Sequence, residues 1–511
     1  KLTRITQSEF TATFGLDLIQ PLVSVKSNTG EIERGISQYP RLAAQVYAAH
    51  PELVAFILAN KAVNQQSIDL QLGHLPNNVL TSIHASPEQL FARHCAVLGS
   101  TGSGKSNTVA KLIELVEQNF GKALLIDATG EYAGLRNCES YIVGNSEENS
   151  EFLHFPYWEL LESDLYGLLK PSGQVQLPKL AGAIRSLKVV NILNNGHSTY
   201  KKEGTKKIDF ESNLIRIDSS TFWDIKNLPE QILLECINYD ANFGKDPSTF
   251  GNVNQNECLW CSSLIERVKF ILNNSSMRWL TPSSYCTNTV KTILKNFISS
   301  EKRILRLDLS KVPFESNARE ILVNAIGRTL LGFAREALIN KQRPLLVFID
   351  EAHQFLNKTI GDENTKFTLD SFGNIAKEGR KYGLNVAIAT QRPRDIPEDV
   401  LSQIGTFIVH RLTNPYDQDL VKKAIGDLDY NTANSLPTLA TGEALLLGVD
   451  FNFAMRLKIH RPLKKPQSDS ANYSSLWINN SNEYWSSVAE DNDFEFAREQ
   501  LHDAQQMSET P

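Results

Sequence analysis

The fold of this chain is decided by one stretch, Gly99-Ser100-Thr101-Gly102-Ser103-Gly104-Lys105-Ser106. Its spacing, G-x-x-x-x-G-K-S, is typical of a phosphate-binding loop that opens a helix. The glycines let the backbone curl with its N–H groups pointing inward at phosphate oxygens, because side chains would obstruct that conformation. The Lys105 ammonium can bind the β- and γ-phosphates, and the Ser106 hydroxyl can ligate Mg²⁺.

The segments on either side of this loop supply the context that the motif requires. The apolar run Cys95–Leu98 predicts a strand before the loop, and the amphipathic segment from Ser106 to about Asn119 predicts a helix after it. Such a helix directs the positive end of its dipole at the nucleotide. The sequence therefore predicts a nucleotide site with the binding residues Gly99, Ser100, Thr101, Gly102, Ser103, Gly104, Lys105, Ser106 and Asn107.

Strand and helix patterns alternate around and after the loop, which indicates an α/β core. A long helix is predicted over Ala318–Asn340. Because the predicted strands are almost continuously apolar, we expect both faces of their sheet to be buried, as in parallel sheets. The strands are Cys95–Leu98, Ala123–Ile126, Ile304–Leu309, Leu345–Ile349, Asn385–Ala389, Thr406–Leu412, Glu443–Val449 and Ala454–His460.

Shifts in these patterns divide the chain into five segments. Residues 1–89 predict a small β-rich N-terminal domain, and an extension packed on the core is the alternative. Residues 90–162 and 301–462 carry the two parts of the α/β core. Residues 163–300 are rich in helix patterns and predict a helical insertion, whereas residues 463–511 form a polar C-terminal tail.

Two of these segments contain more detailed patterns. The N-terminal segment has strand patterns over Thr13–Val25 and Ile68–Leu80 and a helix pattern over Arg41–Asn60. The insertion has helix patterns over Leu177–Asn194, Ser262–Leu272 and Thr287–Ile298. It also has a polar loop whose lysines either contact a phosphate backbone or lie in solvent. These are Lys201, Lys202, Lys206 and Lys207.

The composition bounds the class of protein. With 511 residues and a net charge of −6, the chain is unsuited to coating nucleic acid with a broad basic surface, although a narrow basic channel stays possible. It has no apolar run of about 18 residues and no leader pattern, so we expect a cytoplasmic protein without membrane spans. Cys258-x-x-Cys261 lacks a second pair at zinc spacing, which favours buried or idle thiols over a metal site.

Two carboxylates follow the apolar run Leu345–Ile349. Ligands of an open α/β sheet bind where the strands end. In that position Asp350 can hold Mg²⁺ through its water shell, and Glu351 can polarise the water that attacks a γ-phosphate. An Asp-Glu pair after a buried strand is commonplace, and the phosphate loop in the same sheet makes this pair significant. A water-activating glutamate favours hydrolysis over phosphoryl transfer to a metabolite.

Further polar side chains follow other predicted strands. Asp127 and Glu131 come after Ala123–Ile126 and can reach the same pocket. Gln391 follows another strand and fits a sensor that hydrogen bonds the attacking water or the γ-phosphate. A hydrolysing motor also uses a guanidinium from a neighbouring subunit, and periodicity does not decide which arginine supplies it.

In combination these motifs resemble the HerA branch of the HerA–FtsK ATPases, which are hexameric RecA-like motors that translocate on double-stranded DNA. The resemblance covers about Ile68–Tyr132 and Arg303–Pro462. Each motif is weak alone, and their order along the chain is specific. The motifs are the run from Ala92 to Ser106, Ile126-Asp127 with Gly130-Glu131-Tyr132, Phe348 to His353, Glu378 to Gly383, Thr390 to Pro393, Asp399 to Gln403, and Arg411 to Pro415.

The resemblance implies a role for each candidate residue. Lys105 and Ser106 would bind the phosphates of ATP and Mg²⁺, with Asp350 and Glu351 as the second acidic motif and Gln391 as the sensor. Residues 163–300 would be the variable helical bundle of the family, and the N-terminal segment would be its small β-barrel.

Two arginines would act between subunits. Arg380 would be the arginine finger that one subunit presents to its neighbour, and Arg93 would be a second interface arginine. Both roles come from the resemblance alone.

The leading hypothesis is a homohexameric ATPase that drives double-stranded DNA through a central pore and works with a separate nuclease or a sirtuin-like NADase, in DNA processing or antiphage defence. Arg392 and Arg394 join the insertion lysines as candidate pore residues. The alternative is an ATPase platform that organises and gates a partner effector with little translocation. A secretion or conjugation coupling motor is a third hypothesis, against which the missing membrane segment counts.

Overall fold

The computed structural model of the chain describes residues 23–25, 32–34, 50, 53, 57 and 68–467. Within the last range, the residues left out are 145–151, 194–197, 219–220, 242–243, 283–287, 357, 362–365, 426–429 and 452. Most of the predicted strand Thr13–Val25 and helix Arg41–Asn60 lies outside the described residues, as does the tail from residue 468 onward.

The strands are numbered β1 to β16 in chain order. They are β1 Val23–Val25, β2 Ile32–Arg34, β3 Leu70–Leu75, β4 Asn78–Ala85, β5 Cys95–Leu98, β6 Ala123–Asp127, β7 Cys138–Val143, β8 Phe152–Leu153, β9 Ile304–Asp308, β10 Leu345–Ile349, β11 Lys358–Ile360, β12 Phe367–Leu369, β13 Leu384–Thr390, β14 Thr406–Val409, β15 Glu443–Gly448 and β16 Met455–Ile459.

The α-helices are numbered in the same way. They are α1 Pro87–Phe91, α2 Lys105–Gln118, α3 Glu162–Leu169, α4 Gly173–Leu193, α5 Lys207–Leu214, α6 Leu228–Glu235, α7 Gln255–Asn273, α8 Val290–Ser299, α9 Ala318–Arg335, α10 Ser371–Glu378, α11 Glu398–Leu401, α12 Pro415–Ile425 and α13 Tyr430–Ser435.

Twelve of the described strands form one sheet in the order β4-β3-β16-β15-β14-β5-β13-β10-β6-β9-β7-β8. The strands from β14 to β8 run parallel. The phosphate-loop strand β5 is separated from the acidic strand β10 by the sensor strand β13, so all three end side by side at one edge. This mixed α/β sheet with a parallel centre confirms the predicted fold class.

The parallel prediction is wrong for two strands. β15 pairs antiparallel with both β14 and β16. The segment between β15 and β16, residues 449–454, is too short for the crossover that a parallel pair needs. The edge strands β7 and β8 were missed, because their partly polar residues lack the apolar run of a central strand.

The hairpin β3–β4 belongs to the same sheet. Its strand β3 pairs antiparallel with β16, where His74 lies opposite Lys458. Residues 70–85, which we had placed in the N-terminal segment 1–89, therefore extend the central sheet. The boundary at residue 89 stays a prediction.

Alternate side chains of the central strands enter two different cores, as the strand period of two requires. From β5, Cys95 and Val97 pack with helix α2 and the hairpin, whereas Ala96 and Leu98 pack on the face that α9 and the insertion helices cover. Burial on both faces explains why these strands are apolar throughout.

Two of the four insertion lysines that were candidates for DNA contacts form buried ion pairs within the insertion. Lys202 is buried with its Nζ 2.5 Å from Glu235 Oε2, and Lys207 is buried with its Nζ 2.5 Å from Asp240 Oδ1. Both ammonium groups also lie over aromatic rings. The hypothesis that these two lysines contact a phosphate backbone is therefore wrong, because each already has a buried partner.

Candidate functional site

The phosphate loop adopts the backbone that its glycines allow. Gly102 has a φ of 72° and Gly104 a φ of 111°, values that a residue with a Cβ rarely adopts. A Cβ on Gly104 would also lie only 3.0 Å from the Cα of Gly442. Helix α2 begins at the next residue, Lys105, so its free N–H groups and its positive dipole end face the loop.

A histidine and a turn from the C-terminal part of the core contact the phosphate loop and the first turn of the helix that follows it. The buried His410 lies with its Nε2 2.8 Å from Thr108 Oγ1 and its Nδ1 2.8 Å from the Glu443 carbonyl oxygen. Burial lowers the pKa of His410 to about 4, so the ring is neutral at physiological pH. The Gly442 N–H donates to the Ser103 carbonyl oxygen at 2.8 Å. No local sequence signal identifies the contacts with the loop and its helix, because His410 and Gly442 lie more than 300 positions after Thr108 and Ser103.

Lys105 lies between the two predicted catalytic carboxylates. Its Nζ is 2.9 Å from Glu351 Oε1 and 3.5 Å from Asp350 Oδ1. Burial opposes the charge on Lys105, but the two carboxylates hold its pKa above the usual value. The structure thus brings the loop lysine and the acidic pair together, as the sequence predicted.

The two carboxylates have different environments. Asp350 is buried, which raises its pKa although Lys105 acts in the opposite direction. Burial would also raise the pKa of Glu351, yet its contacts with His353 and Lys105 hold that pKa below the usual range. Glu351 is therefore ionised at neutral pH, which is the form that a general base requires.

Glu131 reaches the site and Asp127 does not enter it directly. Burial and the nearby Asp350 raise the pKa of the Glu131 carboxyl group. Tyr132, missed by the sequence analysis, donates its hydroxyl to Asp350 Oδ2 at 3.1 Å.

The buried Asp127 carboxylate shapes the turn that carries these groups. It accepts the N–H groups of Gly130 and Tyr132 at 2.8 and 3.0 Å and the Arg306 Nε–H at 2.7 Å. Because both carboxylate oxygens are used in these contacts, the structure favours a positioning role for Asp127 over the nucleotide contact that we predicted.

We expect Asp127→Ala to lower the free energy of unfolding by roughly 3–5 kcal/mol, because it removes a carboxylate from a buried ion pair. Urea unfolding followed by intrinsic fluorescence measures the change. Asp419→Ala removes the exposed partner of Lys422 and should cost less than about 1 kcal/mol. Equal losses in the two variants would contradict the assignment.

Gln391 stands beside the phosphate loop. The Thr101 hydroxyl donates to Gln391 Oε1 at 2.6 Å. This contact places the predicted sensor, at the end of β13, next to the residues that would surround the terminal phosphate.

The two arginines lie at the other edge of the sheet. Arg93 precedes β5 and Arg380 precedes β13, so each is about 20 Å from the phosphate-loop edge by strand rise. Arg93 Nε lies 3.5 Å from Asp450 Oδ2, and the exposed Arg380 side chain has no ion pair among the described residues. Burial lowers the pKa of the neighbouring His94 to about 4, and the charge of Arg380 acts in the same direction.

The residues of the loop have the chemistry to bind a nucleoside triphosphate together with a divalent cation. Four buried polar atoms at the site have no hydrogen-bond partner among the described residues. They are Ser103 Oγ, Asn107 Oδ1, Glu131 Oε2 and Glu351 Oε2, the last of which faces His353 Nδ1 at 3.2 Å. Beside Lys105 and Ser106, they give the donors and oxygen ligands that phosphate and Mg²⁺ bind.

The cysteine pair shows no sign of a metal site. The buried Cys236 thiol donates to the Ile232 carbonyl oxygen at 3.2 Å, while Cys261 is buried and Cys258 is partly buried. Across the residues with described placement, no group of three or more His, Cys, Asp or Glu side chains is arranged to hold a metal.

Comparison with known proteins gives the family. The family model described as "Helicase HerA, central domain" matches residues 70–258, and "Helicase HerA-like C-terminal" matches residues 338–507, which together exceed half of the chain. The chain belongs to the HerA helicase family. This HerA-family chain is an ATP-hydrolysing enzyme of the P-loop class.

Relatives match over most of the HerA-family chain. It is 25% identical over 469 residues to a probable helicase of Methanocaldococcus jannaschii, covering 86% of this chain and 78% of the relative. It is 27% identical over 432 residues to the DNA double-strand break repair helicase HerA of Pyrococcus furiosus, covering 81% and 72%. The HerA of Sulfurisphaera tokodaii is 28% identical over 405 residues, covering 76% and 68%.

Solved structures with the same kind of fold are more distant. The bacterial conjugative coupling protein TrwBΔN70 in complex with sulphate has a TM-score of 0.48 at 12% identity, covering 86% of this chain and 98% of that chain. VirB4 of Thermoanaerobacter pseudethanolicus has a TM-score of 0.45 at 14% identity, covering 81% and 99%. None of the helices in the described ranges is both long and apolar enough to cross a membrane.

Proposed function

We propose that this HerA-family chain forms a homohexameric ring that uses ATP hydrolysis to drive double-stranded DNA through a central pore, as a cytoplasmic motor. In this proposal it works with a separate effector, a nuclease or a sirtuin-like NADase, in DNA processing or antiphage defence. The names of its relatives from Pyrococcus and Sulfurisphaera, DNA double-strand break repair helicases, support DNA as the track.

One observation carries the ring: the site is divided between opposite edges of the sheet. Lys105 and Glu351 lie at one edge, whereas Arg93 and Arg380 lie about 20 Å away at the other. Phosphoryl transfer is accelerated by a guanidinium that neutralises charge in the transition state. A second copy placed with its arginine edge against the phosphate loop supplies that group, and such a head-to-tail contact closes into a ring.

Within each site the residues divide the work of hydrolysis. The loop N–H groups and Lys105 bind the phosphates, and Gln391 stands where it can orient the attacking water. Glu351 accepts a proton from that water. Ser106 and Asp350 would hold Mg²⁺, the latter through its water shell. Bound there, such an ion would supply positive charge that offsets the negative charge of the phosphates.

The DNA contacts are proposed to be phosphate contacts. Arg392 and Arg394 follow β13 and are about half exposed, with Asp395 3.9 and 3.8 Å away. Contacts of this kind are indifferent to sequence and weaken with salt.

ATP turnover tests the motor. We expect linear double-stranded DNA to raise ATP turnover several-fold at low salt, and we expect this stimulation to disappear at moderate salt. Glu351→Gln is the hydrolysis-deficient control. Turnover that duplex leaves unchanged at low salt would overturn the motor. It would favour the alternative proposal, an ATPase platform that organises and gates a partner effector.

A further inference from the structure

One histidine beside the acidic pair has so far been described only as a contact of Glu351. His353 lies in the short 3₁₀ helix Ala352–Gln354, directly after β10 and its two carboxylates. Its Nδ1 is 3.2 Å from Glu351 Oε2 and 3.2 Å from Thr390 Oγ1. The imidazole is mostly buried, with a relative exposure of 11%. One ring nitrogen therefore contacts the end of the acidic strand and the end of the sensor strand.

The chemistry of Glu351 and Thr390 indicates whether Nδ1 of His353 carries a hydrogen. An ionised carboxylate only accepts hydrogen bonds, so a bond from the ring to Glu351 requires the hydrogen on Nδ1. The Thr390 oxygen already accepts the Arg392 N–H at 3.0 Å. We place the hydrogen of His353 on Nδ1, because a ring lone pair 3.2 Å from an ionised carboxylate oxygen would be repelled.

The two oxygens of Glu351 have different partners. Oε1 lies 2.9 Å from Lys105 Nζ, and Oε2 faces His353. A bound γ-phosphate competes for Lys105, because the loop lysine is its cationic partner. Once Lys105 turns to the phosphate, His353 is the partner that stays with the carboxylate. Glu351 itself has a left-handed φ of 48°, a strained backbone that surrounding contacts must maintain.

We propose that His353 is a positioning residue, which orients the Glu351 carboxylate for hydrolysis and ties it to the end of β13. The inference rests on the proposed role of Glu351 as the base. On the far side of this connection, Gln391 follows Thr390 and accepts a hydrogen bond from Thr101 of the phosphate loop. The acidic strand, the sensor strand and the loop are thereby connected around the γ-phosphate.

Three substitutions at His353 test the proposal. His353→Ala should lower kcat for ATP without DNA by roughly 10–100-fold, the usual cost of losing an orienting partner. The KM should stay within about threefold, since the lost interaction is not a substrate contact. His353→Asn places an amide N–H near the position of Nδ1 and should restore most of the turnover. His353→Gln places its amide near Nε2 and should not.

A role in stability alone would give a different pattern. It would lower the unfolding temperature, and the His353→Asn and His353→Gln variants would have the same turnover. Nucleotide binding and thermal unfolding are therefore measured on all three variants. His84→Ala, in the β3–β4 hairpin and paired with Asp69, is the matched histidine control and should keep its turnover. If His353→Ala fails to fold, the Asn and Gln pair still decides the question.

Glu351→Gln, measured in parallel, separates the two ways in which the inference can fail. The positioning role is overturned, and the proposed function stands, if Glu351→Gln is inactive and one of two results is found at His353. Either the turnover of His353→Ala stays within about twofold of that of the unmodified protein, or His353→Asn and His353→Gln have equal turnover. If Glu351→Gln retains turnover, the proposed base is wrong, and the inference fails with it.

Discussion

We expect Glu351→Gln to lower ATP turnover by at least about a hundredfold while ATP binding is retained, because an amide of the same shape accepts hydrogen bonds but not a proton. The structure supports this size of effect. Glu351 Oε1 lies 2.9 Å from Lys105 Nζ, and the pKa of the carboxyl group is held low although burial would raise it. Turnover under saturating ATP and binding of a fluorescent ATP analogue measure the two quantities separately.

Glu336→Gln is the matched control, since Glu336 is exposed between helix α9 and the start of β10, whereas the acidic pair follows the other end of that strand. It should leave turnover unchanged. Substantial ATP turnover in Glu351→Gln would mean that another residue is the general base. Glu131, whose pKa is raised by burial and by the nearby Asp350, would then be the next candidate.

We expect Arg380→Ala to lower turnover by roughly a thousandfold, because a guanidinium acting on the transferring phosphoryl group contributes an effect of this order. Binding of ATP by the same subunit should be retained, since Arg380 lies at the opposite edge of its own sheet. Lys381→Ala, an exposed cation one position on, is the control for general charge loss and should stay active.

Mixing two inactive proteins tests whether Arg380 acts on the neighbour. Subunits with Arg380→Ala keep Glu351, and subunits with Glu351→Gln keep Arg380. Rings assembled from equal amounts should regain roughly a quarter of the original turnover, since one interface in four then pairs an intact loop with an intact arginine. If co-assembled rings stay inactive, the proposed action of Arg380 between subunits is wrong.

The sequence predicted the part of the site whose signals are local. The strand Cys95–Leu98 has the bounds that its apolar run predicted, and the helix after the loop begins within one residue of the predicted start. The same holds for the acidic strand Leu345–Ile349. These elements depend on glycine backbone freedom and on side-chain periodicity, which a short stretch of chain carries complete.

Residues supplied by remote segments could not be found in this way. His410 behind the loop and Tyr132 against Asp350 depend on contacts between residues far apart in sequence. His353 follows the acidic pair so closely that the motif contains it, yet only the neighbouring strand end with Thr390 gives it a second contact. Its position in Asp350-Glu351-Ala352-His353 was the one signal available.

What the sequence by itself determined is therefore the kind of protein, a HerA-type ATPase, from a phosphate loop, an acidic pair and a strand-end glutamine that occur in the order typical of that family. The tertiary structure decided which polar groups are free to act. It placed Lys202 with Glu235, and the Asp127 carboxylate with Arg306, in buried ion pairs, and it put Arg380 at the edge opposite the loop. A charged residue type states what chemistry is possible, but burial and the distance to a partner determine whether that charge is already neutralised, and these depend on the whole packed sheet.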